Sequence, residues 1–405
     1  MFGFFIYNKK VVVRVDFNVP LKDGKVTNDK RIVAALETIN YLLSHNCSII
    51  CLSHLSRIKS LDDINSGKKS LAPVAKRLQE LLPNNKVIFM NENIGENVKN
   101  AAANLKAGEI LLLENTRYND VNANNEVVKK ESKNNPELAK EWASLGEVFV
   151  NDAFGTAHRA HASTVGVTSK IPVCLAGFLL EQELKFLYGA IDNPKRPLAA
   201  IVGGAKVSTK LPVLESLIDK CDKVLVGGGM MYTFYKAMGK SIGKSIVEND
   251  QLDLALKLVD KAKNKGIDFI LPVDTVVTDS LDKQSLIQTV DINAIPENTL
   301  GVDIGPKTIQ LFQQSLANAN TIVWNGPMGI FEQKNFAVGT MAIAKTLAER
   351  SDAGAITIVG GGDSVSAINK SGVANKITHI STGGGASLEV LEGKILPGVA
   401  ALTDA

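Results

Sequence analysis

"LAAIVGGAKVSTKLP", residues 198 to 212, is an apolar run that ends on two glycines and then carries two lysines four apart, Lys206 and Lys210. The run is apolar almost throughout instead of alternating, which suits a strand buried on both faces of a parallel sheet. Glycine at its end lets backbone approach a bulky anion, and a helix starting there offers free N–H groups and a positive dipole end. The pattern recurs. "KVLVGGG" (223–229), "DFILPVD" (268–274), "TIVWNG" (321–326) and "AITIVGGG" (355–362) follow in the second half. "VVVRVDF" (11–17), "SIICLSH" (48–54), "KVIFM" (86–90), "EILLLE" (109–114) and "EVFVNDAF" (147–154) precede them in the first. Amphipathic stripes lie between: Ile32, Leu36, Ile39 and Leu43 in one segment, Leu252, Leu256 and Val259 in another. Alternation on this scale predicts an α/β protein of two doubly wound, parallel-sheet (Rossmann-like) domains joined by a hinge helix.

At 405 residues the chain is too long for one ordinary core. The reading places an N-terminal domain at 1–173, an interdomain helix at 174–190, a C-terminal domain at 191–390 and a tail at 391–405. The Asn-rich segment 119–135 is expected to be a surface loop. With 45 basic against 42 acidic residues, nothing global points to nucleic acid or an anionic membrane. No run of about 18 uncharged apolar residues offers a membrane span. "MFGFFIYNKK" lacks a basic leader and a cleavage site, so no signal peptide is expected. Cys47, Cys51, Cys174 and Cys221 form no metal-ligand pattern and are expected to be buried thiols of a cytoplasmic protein.

In open α/β sheets, ligands sit beyond the C-terminal ends of the strands. In the second half those ends read "GGAK", "VGGGM", "WNGPMG", "VGGGDS" and, later, "STGGGAS". One glycine cluster is no more than a tight turn. Five point to a polyphosphate, since each helix N-terminus favours an anion by roughly 0.3–1 kcal/mol. The first half ends its strands differently. "RVDFNVP" supplies Arg14, Asp16 and Asn18, the next helix opens with Arg31, and "SHLSR" supplies His54 and Arg57. "LENTRY" adds Arg117, and "NDAFGTAHRAHAS" adds His158, Arg159 and His161. A lone arginine is usually solvated; gathered at one sheet edge, these make a pocket for a small, highly anionic substrate. Lys206 and Lys210, one helical turn apart, would face the same way. Competing motifs fail. A dinucleotide fold needs G-x-G-x-x-G, but Tyr232 follows Gly227 and Gly229, and Val365 follows Gly360 and Gly362. "MGKSIGKS" (238–245) mimics a P-loop ending, with Phe234 and Met238 where its first glycine belongs.

Those strings, with "GGAKVSTK", "WNGPMGIFE", "GGGDS" and "STGGGASLEVLEGKILPGV", closely resemble the phosphoglycerate kinase family over nearly the whole chain. The resemblance implies a monomeric two-domain hinge enzyme. It implies reversible phosphoryl transfer between 1,3-bisphosphoglycerate and ADP, giving 3-phosphoglycerate and ATP, with Mg²⁺ carried by the nucleotide. Nucleic acid and membrane are not expected partners. By the same resemblance Asp16 and Asn18 would hold the hydroxyl and carboxylate end of the glycerate. Arg31 would contact its carboxylate and shift toward the transferring group. His54, Arg57, Arg117 and Arg159 would bind the phosphate that stays. Gly203, Gly204 and Ala205 would line the nucleotide pocket, Gly227 and Gly228 would pass near the adenine, and Glu332 would reach the ribose. Lys206, Lys210 and Asn325 would approach the nucleotide phosphates, and Gly361, Gly362 and Ser364 would open a helix beside them. Asp363 would hold the metal. Gly383 to Gly385 would begin a helix aimed at the transferring group, with Gly384, Arg31 and Lys210 in the catalytic roles. The tail would return to the N-terminal domain. One departure stands out: Ser56 and Ile58 replace the family's usual glycine and proline, which predicts a stiffer or tilted loop around His54 and Arg57.

Phosphoryl transfer asks a protein for in-line positioning and for charge opposite the equatorial oxygens, with little covalent chemistry. An acyl phosphate is already activated, so no general base is needed. Lys210 is expected to stabilise the transition state and Lys206 to help bind. Donor and acceptor halves should meet only when both are loaded, because water would hydrolyse an exposed phosphoryl group. Two other readings carry identifiable marks. A different small-molecule kinase would lose the arginine cluster, and a non-catalytic relative would lose Lys210 or Asp363; this chain retains all of them.

Overall fold

Runs too apolar to alternate become the central strands. Val11, Val12, Val13 and Val15 are fully buried, as are Ile49 to Leu52 and Ile110 to Leu113. Burying one such side chain contributes about 1.5–3 kcal/mol. The computed structural model describes residues 6–282 and 285–403. The start of the apolar lead-in (1–5) and the last two residues of the tail lie outside the described residues, as do 283 and 284.

The chain forms two compact units, 1–183 with 395–405, and 184–394. The division falls inside the helix Phe178–Asp192. In the first unit six strands lie in the order Val87–Met90, Ile110–Leu113, Ser48–Leu52, Lys10–Val15, Val148–Asp152, Cys174–Ala176. All pair in parallel, with Val12 opposite Ile50 on one side and Phe149 on the other. Apolar clusters cover both faces, one around Ile32, Ile39 and Val74, the other around Trp142, Leu138 and Phe149. Residues 174–176, assigned above to the interdomain helix, are the edge strand of this sheet.

The second unit repeats the plan with Asp268–Ile270, Lys223–Val226, Leu198–Val202, Thr321–Asn325, Ile356–Gly360 and His379–Ile380. Asn325 pairs with Val202 on one side and Gly360 on the other, so three strand ends come level. A three-stranded antiparallel sheet is added, with Asp274–Thr278 between Ile287–Asp291 and Leu300–Ile304. The run 268–274 is therefore not one strand. Pro272, which cannot donate to a ladder, separates the parallel strand from the antiparallel one.

Both helical stripes need correction. The segment carrying Ile32, Leu36, Ile39 and Leu43 is two helices, Lys30–Ala34 and Leu36–Ser44, and buries Ile32, Thr38, Ile39 and Leu42. The helix Leu252–Lys265 turns Ala255, Leu258 and Ala262 inward and leaves Leu256 exposed. Small alanines let a helix pack close to its neighbours, so the bulkiest residues did not mark the buried face. The segment 119–135 is not a plain surface loop either, since Asp120 and Glu131 within it are buried.

Candidate active site

In the first unit the strand ends deliver their side chains to a hydrogen-bonded cluster. Arg14, at the end of its strand, is wholly buried. Its Nε donates to Ser163 Oγ at 2.7 Å, its Nη1 to the Val15 carbonyl at 2.5 Å, and its Nη2 lies 3.1 Å from His54 Nδ1. His54 is buried, and burial first, then Arg14, Arg117, Arg31 and His161, holds its imidazolium pKa well below the usual range. Burial likewise lowers His158 to about 4 and His161 to about 3. The positive charge here thus belongs to arginines, whatever the pH near neutrality.

Arg31 Nη1 lies 3.0 Å from Asp16 Oδ2, 3.1 Å from Asp16 Oδ1 and 3.2 Å from the Asn18 carbonyl, to which it also donates. Asn18 Oδ1 accepts the Ser56 N–H at 2.9 Å, and the Ser56 carbonyl accepts from Arg117 Nη1 at 2.7 Å. Burial lowers the Arg117 guanidinium somewhat, with Asp120 and Glu131 pulling the other way. The Ser56 departure is resolved by geometry. Ser56 takes φ +59, the left-handed conformation a glycine would adopt, and both its backbone polar groups are engaged. Ile58 turns into the protein and is buried. The Arg57 side chain is exposed, while its carbonyl accepts from Lys69 Nζ at 2.7 Å; Arg159 is exposed on its own loop.

Asn115 clasps these loops. Its Oδ1 accepts from the N–H groups of Leu55 and Arg117, and its Nδ2 donates to the carbonyls of Leu55 and Lys69. It lay inside "LENTRY" without a role, and only a strand-end position hinted at one. Glu131 and Ser163 were also missed.

In the second unit the glycines let loops stack backbone on backbone. A Cβ on Gly203 would lie 2.1 Å from the Pro327 carbonyl oxygen. One on Gly228 (φ +73) would lie 2.5 Å from the Gly204 nitrogen, and one on Gly227 2.5 Å from Met328 Sδ. Two helix N-termini converge here, Gly362–Ser371 and Gly384–Leu391, with the Cβ position of Gly384 only 3.1 Å from the Gly362 nitrogen. Gly361 precedes the first of them at φ +91. Ser364 Oγ accepts the Gly326 N–H at 2.6 Å. Such paired termini suit anionic oxygens.

Lys206 and Lys210 do not share a helical face. The helix Leu211–Lys220 begins only after Lys210, with Pro212 in its first turn, where a missing N–H costs nothing. Ala205 and Lys206 sit exposed in the preceding bend. Lys210 instead bends to Asn325 Oδ1, and Asn325 Nδ2 donates to the Gly360 carbonyl at 3.1 Å. Burial lowers the Lys210 ammonium, opposed by Asp363 and Glu392. Asp363 and Glu332 are exposed. Among the described residues, no three His, Cys, Asp or Glu side chains gather as a metal cage. A Mg²⁺ ion usually takes one or two carboxylates and completes its shell with water and phosphate oxygens, so the single Asp363 fits an ion brought by a nucleotide.

A family model described as phosphoglycerate kinase matches residues 3–394. A phosphoglycerate kinase from Fusobacterium nucleatum is 55% identical over 399 residues, covering 98% of this chain and 97% of that protein. One from a Synechococcus species is 53% identical over 410 residues, covering 100% and 97%. The solved phosphoglycerate kinase from Coxiella burnetii superposes with a TM-score of 0.85 at 42% identity, covering 98% of this chain and 96% of that one. That from Pyrococcus horikoshii gives 0.77 at 33% identity, with the same coverage.

Proposed function

This chain belongs to the phosphoglycerate kinase family, and from that premise we propose how its own residues divide the work. The enzyme transfers a phosphoryl group reversibly between the acyl phosphate of 1,3-bisphosphoglycerate and ADP, giving 3-phosphoglycerate and ATP. In the forward direction a β-phosphate oxygen of ADP bonds to phosphorus as the bond to the acyl oxygen breaks on the opposite side. The carboxylate leaves with the electron pair, and no proton has to move.

Asp16 and Asn18 take the hydroxyl and carboxylate end of the glycerate, with Arg31 against its carboxylate and the transferring group. His54, Arg57, Arg117 and Arg159 take the phosphate that stays. Gly203, Gly204, Ala205, Gly227 and Gly228 form the nucleotide wall, with Glu332 at the ribose. Lys206 and Asn325 lie along the phosphates, Asp363 holds the Mg²⁺ of the nucleotide, and the helix N-termini at Gly361, Gly362, Ser364 and Gly384 face the transferring group. Lys210 follows that group as charge spreads over its oxygens. The carrying observation is the Lys210 ammonium, drawn out of solvent beside Asn325 and attracted by Asp363, where two helix N-termini converge. In a coupled assay with MgATP and 3-phosphoglycerate, Lys210→Ala is expected to lose on the order of 10³-fold in turnover. Equal turnover would remove Lys210 from the chemistry.

We also propose that transfer awaits closure of the two units on both ligands. Small-angle scattering should then show compaction with both bound and little with either alone; no compaction would end that idea. Among the described residues no helix is long and apolar enough to cross a membrane, and the four cysteines are buried free thiols. The thiols fit a reducing compartment such as the cytoplasm. A monomer is the proposed state, which light scattering tests.

A further inference from the structure

The phosphate-binding cluster leans on a carboxylate that the reaction never touches. Glu131 is wholly buried. Its Oε1 accepts the Ser163 Oγ–H at 2.5 Å and its Oε2 the Ser163 N–H at 3.1 Å. Ser163 Oγ in turn accepts from Arg14 Nε at 2.7 Å, and Arg14 Nη2 lies 3.1 Å from His54 Nδ1. Every member of this chain is at least nine-tenths buried, so no water competes for its bonds. The bond directions follow from the two ends. An ionised carboxylate only accepts, and a guanidinium only donates. His54 Nδ1 must therefore be the acceptor, which leaves the ring's proton on Nε2.

We propose that Glu131, acting through Ser163 and Arg14, is a positioning residue that locks His54 in the tautomer presenting an Nε2–H donor to the substrate phosphate. The inference rests on the assignment of His54 to that phosphate made above. The other tautomer would set Nδ1–H against the Arg14 donor and aim a lone pair at an anionic oxygen. Burial first, and then the charges of Arg14, Arg117 and Arg31, oppose a second proton on the ring. The ring thus donates one neutral hydrogen bond that does not switch off as pH rises. Burial raises the Glu131 carboxyl above the usual carboxylate range, opposed by the Arg14 charge and the two Ser163 bonds, with Asp120 acting alongside burial. His161 Nδ1 approaches Glu131 Oε1 no closer than 3.9 Å and is outside the relay.

The wild-type enzyme supplies the first test, nitrogen NMR of His54 from about pH 5 to about pH 8, the interval in which an ordinary histidine titrates. Nε2 should stay protonated and Nδ1 bare throughout. A protonated Nδ1, or a ring that titrates there, overturns the proposal. Kinetics supply the second test. Glu131→Gln puts an amide donor against the Ser163 N–H, and should raise the KM for 3-phosphoglycerate by roughly 10- to 100-fold. The KM for MgATP should stay within about twofold, since its site is elsewhere. Glu131→Asp should recover part of the loss. If His54→Ala raises the KM for 3-phosphoglycerate while Glu131→Gln does not, the relay is wrong and the phosphate assignment stands. If His54→Ala leaves that KM unchanged, the assignment itself fails, and the proposal with it. Should Glu131→Gln not fold, Ser163→Ala cuts the same relay. A mixture of His54 tautomers in that variant supports it, and an unchanged spectrum overturns it.

Discussion

Asp303 shows how one side chain can be tied to a loop and to pH together. Its Oδ2 accepts the Gly339 N–H at 2.7 Å and its Oδ1 the Ile304 N–H at 2.9 Å. Gly329 and Gly339 press against it so closely that a Cβ on either would lie within 2.5 Å of Oδ1. Burial lifts its pKa from 3.8 to about 7, with those two N–H groups opposing. The sign follows. Between pH 4 and pH 7, roughly, Asp303 holds a proton in the folded chain that it has released in the unfolded one, so its contribution to stability falls as pH rises through that window and levels off above it, against the rise that the depressed histidines His54, His158 and His161 contribute below pH 6.5. The fall is at most about 4 kcal/mol, from a shift of some three units at 1.36 kcal/mol each. Asp303→Asn should remove that fall, so in urea unfolding run at a series of pH values the variant should gain stability relative to the parent as pH rises from about 4 to about 7. Asp152, lifted to about 6 by burial, and the three depressed histidines keep their slopes in both proteins and cancel in that difference. An unchanged slope would show that Asp303 is ionised throughout. At this scale the sequence exposed the residue types at strand ends, and left their partners hidden. Arg14 and Glu131 form a buried relay, yet one carboxylate in an Asn-rich stretch has the composition of solvated loop. Ser56 was visible as a departure from the family, but its φ of +59 depends on Asn18 and Arg117, both distant in sequence.

Among the elements, the glycine loops of the second unit tolerate least. Gly228→Ala adds a methyl group 2.5 Å from the Gly204 nitrogen, and backbone cannot move aside as a flexible side chain can. With the left-handed strain added, the cost should exceed about 2 kcal/mol. Gly239→Ala is the control. Gly239 has φ +78 and nothing within 4 Å of its Cβ position, so it should lose only about 1 kcal/mol of backbone preference. Thermal unfolding compares the two, and titration with MgATP should show weaker binding for Gly228→Ala alone. Equal costs would mean that the loops are not stacked as described. Legibility differed by element type. Central parallel strands were visible because they are apolar throughout. The strand Ile287–Asp291, exposed at Ile287, Thr289 and Asp291 and only half-buried between them, offered no such run. The strand His379–Ile380 was too short to show a period at all.

On the scale of the whole chain, the first unit is made of two separated pieces. The Gly398 N–H donates to the Ala157 carbonyl at 2.8 Å, and Asn151 Nδ2 donates to the Gly398 carbonyl at 3.0 Å. Thr403 exchanges bonds with Cys174, its N–H to the carbonyl at 2.8 Å and its Oγ1 accepting the Cys174 N–H at 2.9 Å. Leu396 is fully buried. Removing residues 395–405 should destabilise the first unit by about 2–4 kcal/mol, on the order of 1 kcal/mol for each bond lost. The two tryptophans can report this separately. Trp142 lies in the first unit and Trp324 in the second, both buried with Nε1 bonded to a carbonyl. With Trp324→Phe as background, the fluorescence transition should move to lower denaturant on truncation; with Trp142→Phe it should hold its place. Coincident shifts would mean that the tail serves both units. The same arrangement orders events on the ribosome. The second unit is one unbroken stretch, 184–394, and can complete its core as soon as it has emerged. The first unit starts earlier and finishes later. Its sheet edge at Cys174 and its loop at Ala157 wait, through the synthesis of everything between, for residues 395–403 to arrive and close them, so a nascent chain from which 184–394 has emerged and 395–403 has not would hold a finished second half and an open first one.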